Sequence, residues 1–261
     1  MKRKLFLTLG LAALAMYSYG AKKLKTTARK MNKTTVQQPT FTEWHDLQVN
    51  EINRLPLHTS FFTYPFDDMV YEEGGVVKSR NLSSVDKTMS QNFLSLDGIW
   101  KFKWVENADL RPTDFYLTNL DDSHWGTIPV PGNWELNGYG QPEYVNIGFA
   151  WRGHFDEQPP AVPVKDNHVG SYRRQIDIPA NWDGKQVIAH FGSVTSNIYL
   201  YVNGQFAGYA EDGKVAAEFD ITPFLKKGKN LIAFQTFRWC DGSWCEDQDF
   251  WRLSGVAREN Y

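Results

Sequence analysis

The stretch Ile198–Tyr209 reads IYLYVNGQFAGY. Ile198, Leu200 and Val202 alternate with Tyr199 and Tyr201, the period of two that sends successive side chains to opposite faces of a strand. Asn203-Gly204 then supplies the two positive-φ residues of a type I′ turn, and Gln205–Tyr209 returns as the second strand of a hairpin. Outward from this hairpin, Leu231–Trp239 alternates again, and Tyr172–Ile178 and Gln186–Phe191 read as further strands. Trp100, Phe102 and Trp104 alternate with Lys101 and Lys103, a strand with one face buried and one wet. Helical signal is confined to Asp220–Gly228 (DITPFLKKG), with Thr222 able to cap, Pro223 at the first helical position and Gly228 as a stop. Many short strands without alternating helices predict an all-β, antiparallel β-sandwich. There is no internal repeat.

Downstream lies Arg238–Arg252, RWCDGSWCEDQDFWR. Asp241, Glu246, Asp247 and Asp249 stand among Trp239, Trp244, Trp251 and Phe250. Carboxylates accept hydrogen bonds from hydroxyls and flat rings cover the C–H faces of a sugar, so the stretch suits a neutral, hydroxyl-rich ligand. Packing with solvated acids is the other reading of such a loop. Cys240 and Cys245 are the two cysteines of the chain. A disulfide between them is left open by their short separation. No histidine stands at ligand spacing to either, and no HxH or HExxH pattern occurs, which disfavours a metal site at these residues.

A hydrophobic content of 42% and ten tryptophans allow a sizeable core. With 28 basic against 30 acidic residues, no basic face argues for nucleic acid. Residues 1–20 carry Lys2, Arg3 and Lys4, then an apolar run from Leu5 to Met16, then the small residues Ser18 and Gly20 before Ala21. This pattern predicts a cleaved signal peptide, export to the periplasm or outside, and no stable membrane span after cleavage, since the run is too short to cross a bilayer. Residues 21–40 are basic, free of acids and poor in large apolar groups, which predicts a flexible leader. Residues 41–92 contain aromatics but weak periodicity, which predicts an irregular arm wrapping a neighbouring domain. Residues 93–261 are the expected sandwich.

The run DGSWCEDQDFWRLSG (Asp241–Gly255) resembles the signature that closes the N-terminal sugar-binding domain of glycoside hydrolase family 2 β-galactosidases. The resemblance extends through IPVPGNWELNGYGQPEYVNIGFAW (Ile128–Trp151), SLDGIWKFKW (Ser95–Trp104) and INRLPLHTSFFTYP (Ile52–Pro65), in order. It implies a jelly-roll sandwich.

It also implies roles for particular residues. Asp249 matches an aspartate that contacts galactose and helps hold a sodium ion, tasks suited to a hard oxygen donor. Asn146 matches an asparagine that contacts the sugar, its amide able to donate and accept. Just beyond it, Phe149-Ala150-Trp151 departs from the family's Tyr-Pro-like pair. Glu246 and Asp247 are adjacent, so they point apart rather than facing each other across a scissile bond, roughly 5 to 9 Å, as a glycosidase pair must. They read as structural, and Trp134, Trp251 and Arg252 as packing and domain contacts.

In the family, the two catalytic glutamates and the magnesium ligands lie on a later (β/α)8 barrel, and this chain contains neither. The resemblance therefore implies a β-galactoside substrate, a barrel partner in cis or trans, sodium and magnesium in an intact enzyme, no cofactor in this chain, and no turnover by the chain alone. A free-standing carbohydrate-binding or interaction module, and a β-glucuronidase or β-mannosidase piece, are the alternatives.

Overall fold

The computed structural model describes residues 38–80, 86–145, 158–246 and 249–261, all within the unit spanning 36–261. In chain order the strands are β1 (Glu51–Ile52), β2 (Val70–Glu73), β3 (Val76–Ser79), β4 (Gly98–Val105), β5 (Gly126–Val130), β6 (Gly132–Asn133), β7 (Glu143–Val145) and β8 (Val169–Ile178). They continue with β9 (Ile188–Phe191), β10 (Val194–Thr195), β11 (Ile198–Val202), β12 (Gln205–Ala210), β13 (Ala217–Asp220), β14 (Gly228–Phe237), β15 (Phe250–Arg252) and β16 (Gly255–Val256). Helices among the described residues are single turns. No described helix is long and apolar enough to cross a membrane.

The fold is an all-β antiparallel sandwich. Its main sheet has the order β1-β12-β11-β14-β8-β4-β5, every neighbouring pair antiparallel. The second layer is assembled from the β13-β9 pair and the β10-β16-β6 ribbon. The β11–β12 hairpin turns at Asn203 and Gly204, with φ of 51° and 82°, as the dipeptide predicted. The Asp220–Gly228 signal is a single 3-10 turn, Thr222–Phe224, with Pro223 in its first positions. Its cap is Asp220 Oδ1, which accepts from the Thr222 amide at 3.0 Å, rather than Thr222 itself.

Alternation along β11 now has a three-dimensional meaning. Ile198, Leu200 and Val202 face the second layer, packing with Trp100, Phe102, Tyr172 and Phe234 of the main sheet and with Ala189, Phe191, Phe219 and Val256 opposite. Tyr199 and Tyr201 face the other way into a second core with Trp44, Phe115, Trp125, Phe206, Tyr209 and Phe237. The main sheet is thus buried on both faces at its centre, and Trp134 is fully buried with its indole N–H donating to the Tyr172 hydroxyl at 2.5 Å.

The second core depends on the arm. Its first part packs on the sandwich itself: β1 pairs with β12 at the sheet edge, and the Trp44 ring stacks on Phe237 at 5.1 Å. The Trp44 amide donates to the Tyr199 hydroxyl, which itself donates to the buried Glu43 carboxylate at 3.0 Å. Large aromatic side chains on the outward face of β11 and β12 demand such a cover, because exposing them would forfeit roughly 2 kcal/mol each.

Candidate functional site

β14 leaves the sheet at Phe237 and delivers Arg238–Arg252. Its first residues are clamped, not exposed. Asn167 brackets Trp239, accepting from its amide at 2.9 Å and donating to its carbonyl at 3.0 Å. The buried Arg238 guanidinium reaches Glu143 at 3.3 Å, the Gln141 carbonyl at 3.2 Å and His168 Nδ1 at 3.2 Å. His168 Nε2 meets Asp166 at 2.9 Å. Burial, then the Arg238 charge, lowers the His168 pKa, so the ring is neutral: Nε2 donates to Asp166 and Nδ1 accepts from Arg238. These bonds tie the stretch to β7 and to the lead-in of β8.

The 3-10 turn Asp241–Trp244 follows, and Asp241 faces inward. Its carboxylate, the Cys240 thiol and the Glu211 carboxylate converge, one ligand atom of each lying within 4.8 Å of the others. All three residues are buried. Tyr209 donates to Glu211 Oε1 at 2.5 Å, whereas Glu211 Oε2 and both Asp241 oxygens have no hydrogen-bond partner among the described residues apart from each other. Burial, with the Asp241 charge adding to it, pushes the Glu211 pKa up to about 8. Burial likewise raises Asp241, and it raises the Cys240 thiol so that it stays protonated. Gly242 keeps the turn close: a Cβ there would stand 2.9 Å from Glu246 Oε1 and 3.0 Å from Glu211 Oε2. Two buried acids this close hold a proton between them, Glu211 donating to Asp241 when protonated, and a hard cation could take that proton's place.

The far end of the stretch is exposed. β15 pairs with β7 in the register Phe250↔Val145, Trp251↔Tyr144 and Arg252↔Glu143. Asp249 opens this ribbon with φ 55°, and Tyr144 donates to its Oδ1 at 2.7 Å, a bond that raises the tyrosine pKa. Tyr144 and Trp251 are each 54% exposed with ring centroids 5.4 Å apart, and the Lys214 ammonium lies over the Phe250 ring. Arg252 points inward, donating to the Glu246 carbonyl at 3.2 Å.

Asp249 therefore stands at a surface beside aromatic rings. Asn146 and Asp247 lie outside the described residues; Asn146 directly follows Val145, whose Cα partner is Phe250. Both cysteines are free thiols, Cys240 buried and Cys245 exposed. The acidic stretch is not one surface, as its composition suggested, because Asp241 and Trp239 are core. Glu211 escaped the sequence reading: it lies beyond the hairpin, 30 residues upstream of Asp241. Its one local sign is that a charged residue directly follows the apolar end of β12. Tyr144 and Arg238, read only as parts of longer runs, also proved to be contact residues.

Residues 93–261 match the model of the glycosyl hydrolases family 2, sugar binding domain. The chain is 40% identical over 216 residues to a β-galactosidase of Halalkalibacterium halodurans, covering 83% of this chain and 20% of that protein. It is 38% identical over 222 residues to a β-galactosidase of Priestia megaterium, covering 85% and 20%. Against the β-galactosidase large subunit of Lactobacillus helveticus it is 35% identical over 223 residues, covering 81% and 33%. A crystal structure of Bacteroides uniformis β-glucuronidase aligns at 23% identity with a TM-score of 0.47, covering 64% of this chain and 17% of that one. The chain spans a fifth to a third of the length of these β-galactosidases. With most of its sandwich matched by the family model, the chain belongs to glycosyl hydrolase family 2, and residues 93–261 are a sugar-binding domain of that family.

Proposed function

We propose that this domain serves an exported β-galactosidase, contacting the galactosyl group of a terminal β-galactoside while a (β/α)8 barrel, in cis or trans, supplies the two catalytic glutamates. The observation that carries this reading is the placement of Asp249, exposed at the head of the β7–β15 ribbon with Tyr144 bonded to one carboxylate oxygen and the Trp251 ring beside Tyr144. Asp249 accepts from a sugar hydroxyl and lends an oxygen to sodium, whose other ligands come from the barrel. Asn146 is the second sugar contact. Each contributes about one hydrogen bond, on the order of 1 kcal/mol. Among the described residues, Glu211 and Asp241 are those that fit a divalent ion; bound there, it would supply charge neutralisation inside the fold. Residues 1–20 direct export and are removed before Ala21.

A β-galactosidase assay on the mature chain, alone and mixed with a barrel-containing remainder from a related enzyme, tests this. Activity only in the mixture is expected. Activity from the chain alone would overturn it. The half-exposed Tyr144–Trp251 pair favours one second reading, a free-standing carbohydrate-binding module. Saturable galactose binding by the isolated chain, with no gain on mixing, would support that reading instead.

A further inference from the structure

Beyond β1 the arm follows β13. Arg54 bridges to Phe219, and the Leu55 amide donates to the Glu218 carbonyl at 2.8 Å. Three residues later the exposed His58 ring lies against β13. Its Nδ1 lies 2.8 Å from the Thr59 carbonyl and its Nε2 lies 2.8 Å from Glu218 Oε2. A carbonyl and an ionised carboxylate only accept, and a neutral imidazole carries a single N–H. Both contacts are hydrogen bonds only when both ring nitrogens are protonated.

Glu218 is itself held between two imidazoles. Its Oε1 lies 2.7 Å from Nδ1 of His190, the residue facing it across the β13–β9 pair, and the His190 ring stacks on Tyr261 at 4.4 Å. Although burial works the other way, hydrogen bonds from His190 and His58 keep the Glu218 pKa low, so the carboxylate is ionised. The other charges facing this place are accounted for. Lys87 pairs with Glu259 and lies over the Tyr261 ring, Arg258 donates to the Lys214 carbonyl, and Lys185 donates to Asn92. No second carboxylate among them contacts His58. The loop so fastened carries Phe61, 65% exposed, and Phe62 along one side of a groove of about 500 Å³.

We propose that His58 is carried as an imidazolium and acts as a pH-dependent clasp that fastens the arm at residues 55–62 to β13. The contact to the Thr59 carbonyl, then that to Glu218, raises its pKa above 6.5. A raised folded pKa means the fastening is complete below about pH 6.5 and is lost as pH rises through the raised value. Loss of the proton forces the ring to abandon either Thr59 or Glu218. At the acid end the clasp fails only when Glu218 is protonated, below its lowered pKa. The arm is therefore tightest in mildly acid conditions and loosens toward alkaline ones, freeing the aromatic side of the groove.

Two measurements on the full chain test this. The His58 ring, assigned by its disappearance in His58→Gln, is followed by long-range proton–nitrogen NMR. Its midpoint is expected above 6.5, with both nitrogens protonated below it; a midpoint at or below 6.5 overturns the proposal. Limited proteolysis of the arm is then compared at pH 6 and pH 9, normalised to an unstructured peptide. Wild-type cleavage is expected to rise about tenfold for each unit by which the pKa is raised. In His58→Gln, which keeps one donor and one acceptor, the rate should change less than about twofold, and equal pH dependence in the two proteins overturns the clasp.

Discussion

Asp249 shows what one residue can carry in this fold. Its backbone sits at φ 55°, a region that Asp and Asn enter with little strain, and its side chain is exposed. Asp249→Asn should therefore leave the unfolding free energy of the isolated domain within about 0.5 kcal/mol of wild type, read from its denaturant midpoint. In an enzyme assembled with a barrel, the same change should weaken galactoside binding about tenfold and abolish sodium dependence, read by KM with and without sodium. Glu211 is the opposite case, buried and in contact only with its neighbours in the fold. Because its folded pKa of about 8 lies above the ordinary glutamate value of 4.5, its contribution to stability is fully present below about pH 4.5 and is lost as pH rises to about 8. That loss is on the order of a few kcal/mol. Thermal unfolding in chelator should accordingly show stability falling between pH 5 and 8, magnesium should restore it, and Glu211→Gln should flatten the dependence.

At the scale of elements, the β11–β12 hairpin was legible because its information is local: alternation and Asn203-Gly204 sit side by side in the chain. What the sequence did not reveal is how far the turn reaches. The Asn203 side chain donates to the Phe224 carbonyl and to Asn230, and accepts from the Leu231 amide at 3.0 Å, so it also joins the start of β14 to the hairpin. Asn203→Ala should cost about 3 kcal/mol, combining left-handed strain with unsatisfied partners, measurable as a shifted denaturant midpoint. β14 itself begins at Gly228, ahead of the expected Leu231, because Asn230 bonds the Lys226 and Gly228 carbonyls and holds the entry to the strand. It ends at Phe237 rather than Trp239, because the Trp239 backbone is taken by Asn167 instead of a neighbouring strand.

On the scale of the whole molecule, two cores share one sheet, and they depend on different parts of the chain. The inner core is closed by short strands of the second layer. The outer one is closed by the arm, so Trp44→Ala should destabilise the entire sandwich by about 3–5 kcal/mol rather than fray its edge. Equilibrium unfolding followed at several probes should remain a single transition; separate loss of the arm signal would refute this coupling.

By itself the sequence determined the strand alternation, the hairpin turn, the all-β class and the signature that places the chain in its family. Each is written in neighbouring residues or in a contiguous motif. Only the tertiary structure decided that Asp241 is buried against Glu211 while Asp249 is exposed, that the arm covers the sheet, and that His58 meets Glu218. Those facts depend on contacts between residues far apart in the chain, where burial and hydrogen-bond partners, rather than residue type, set the chemistry of an acid or an imidazole.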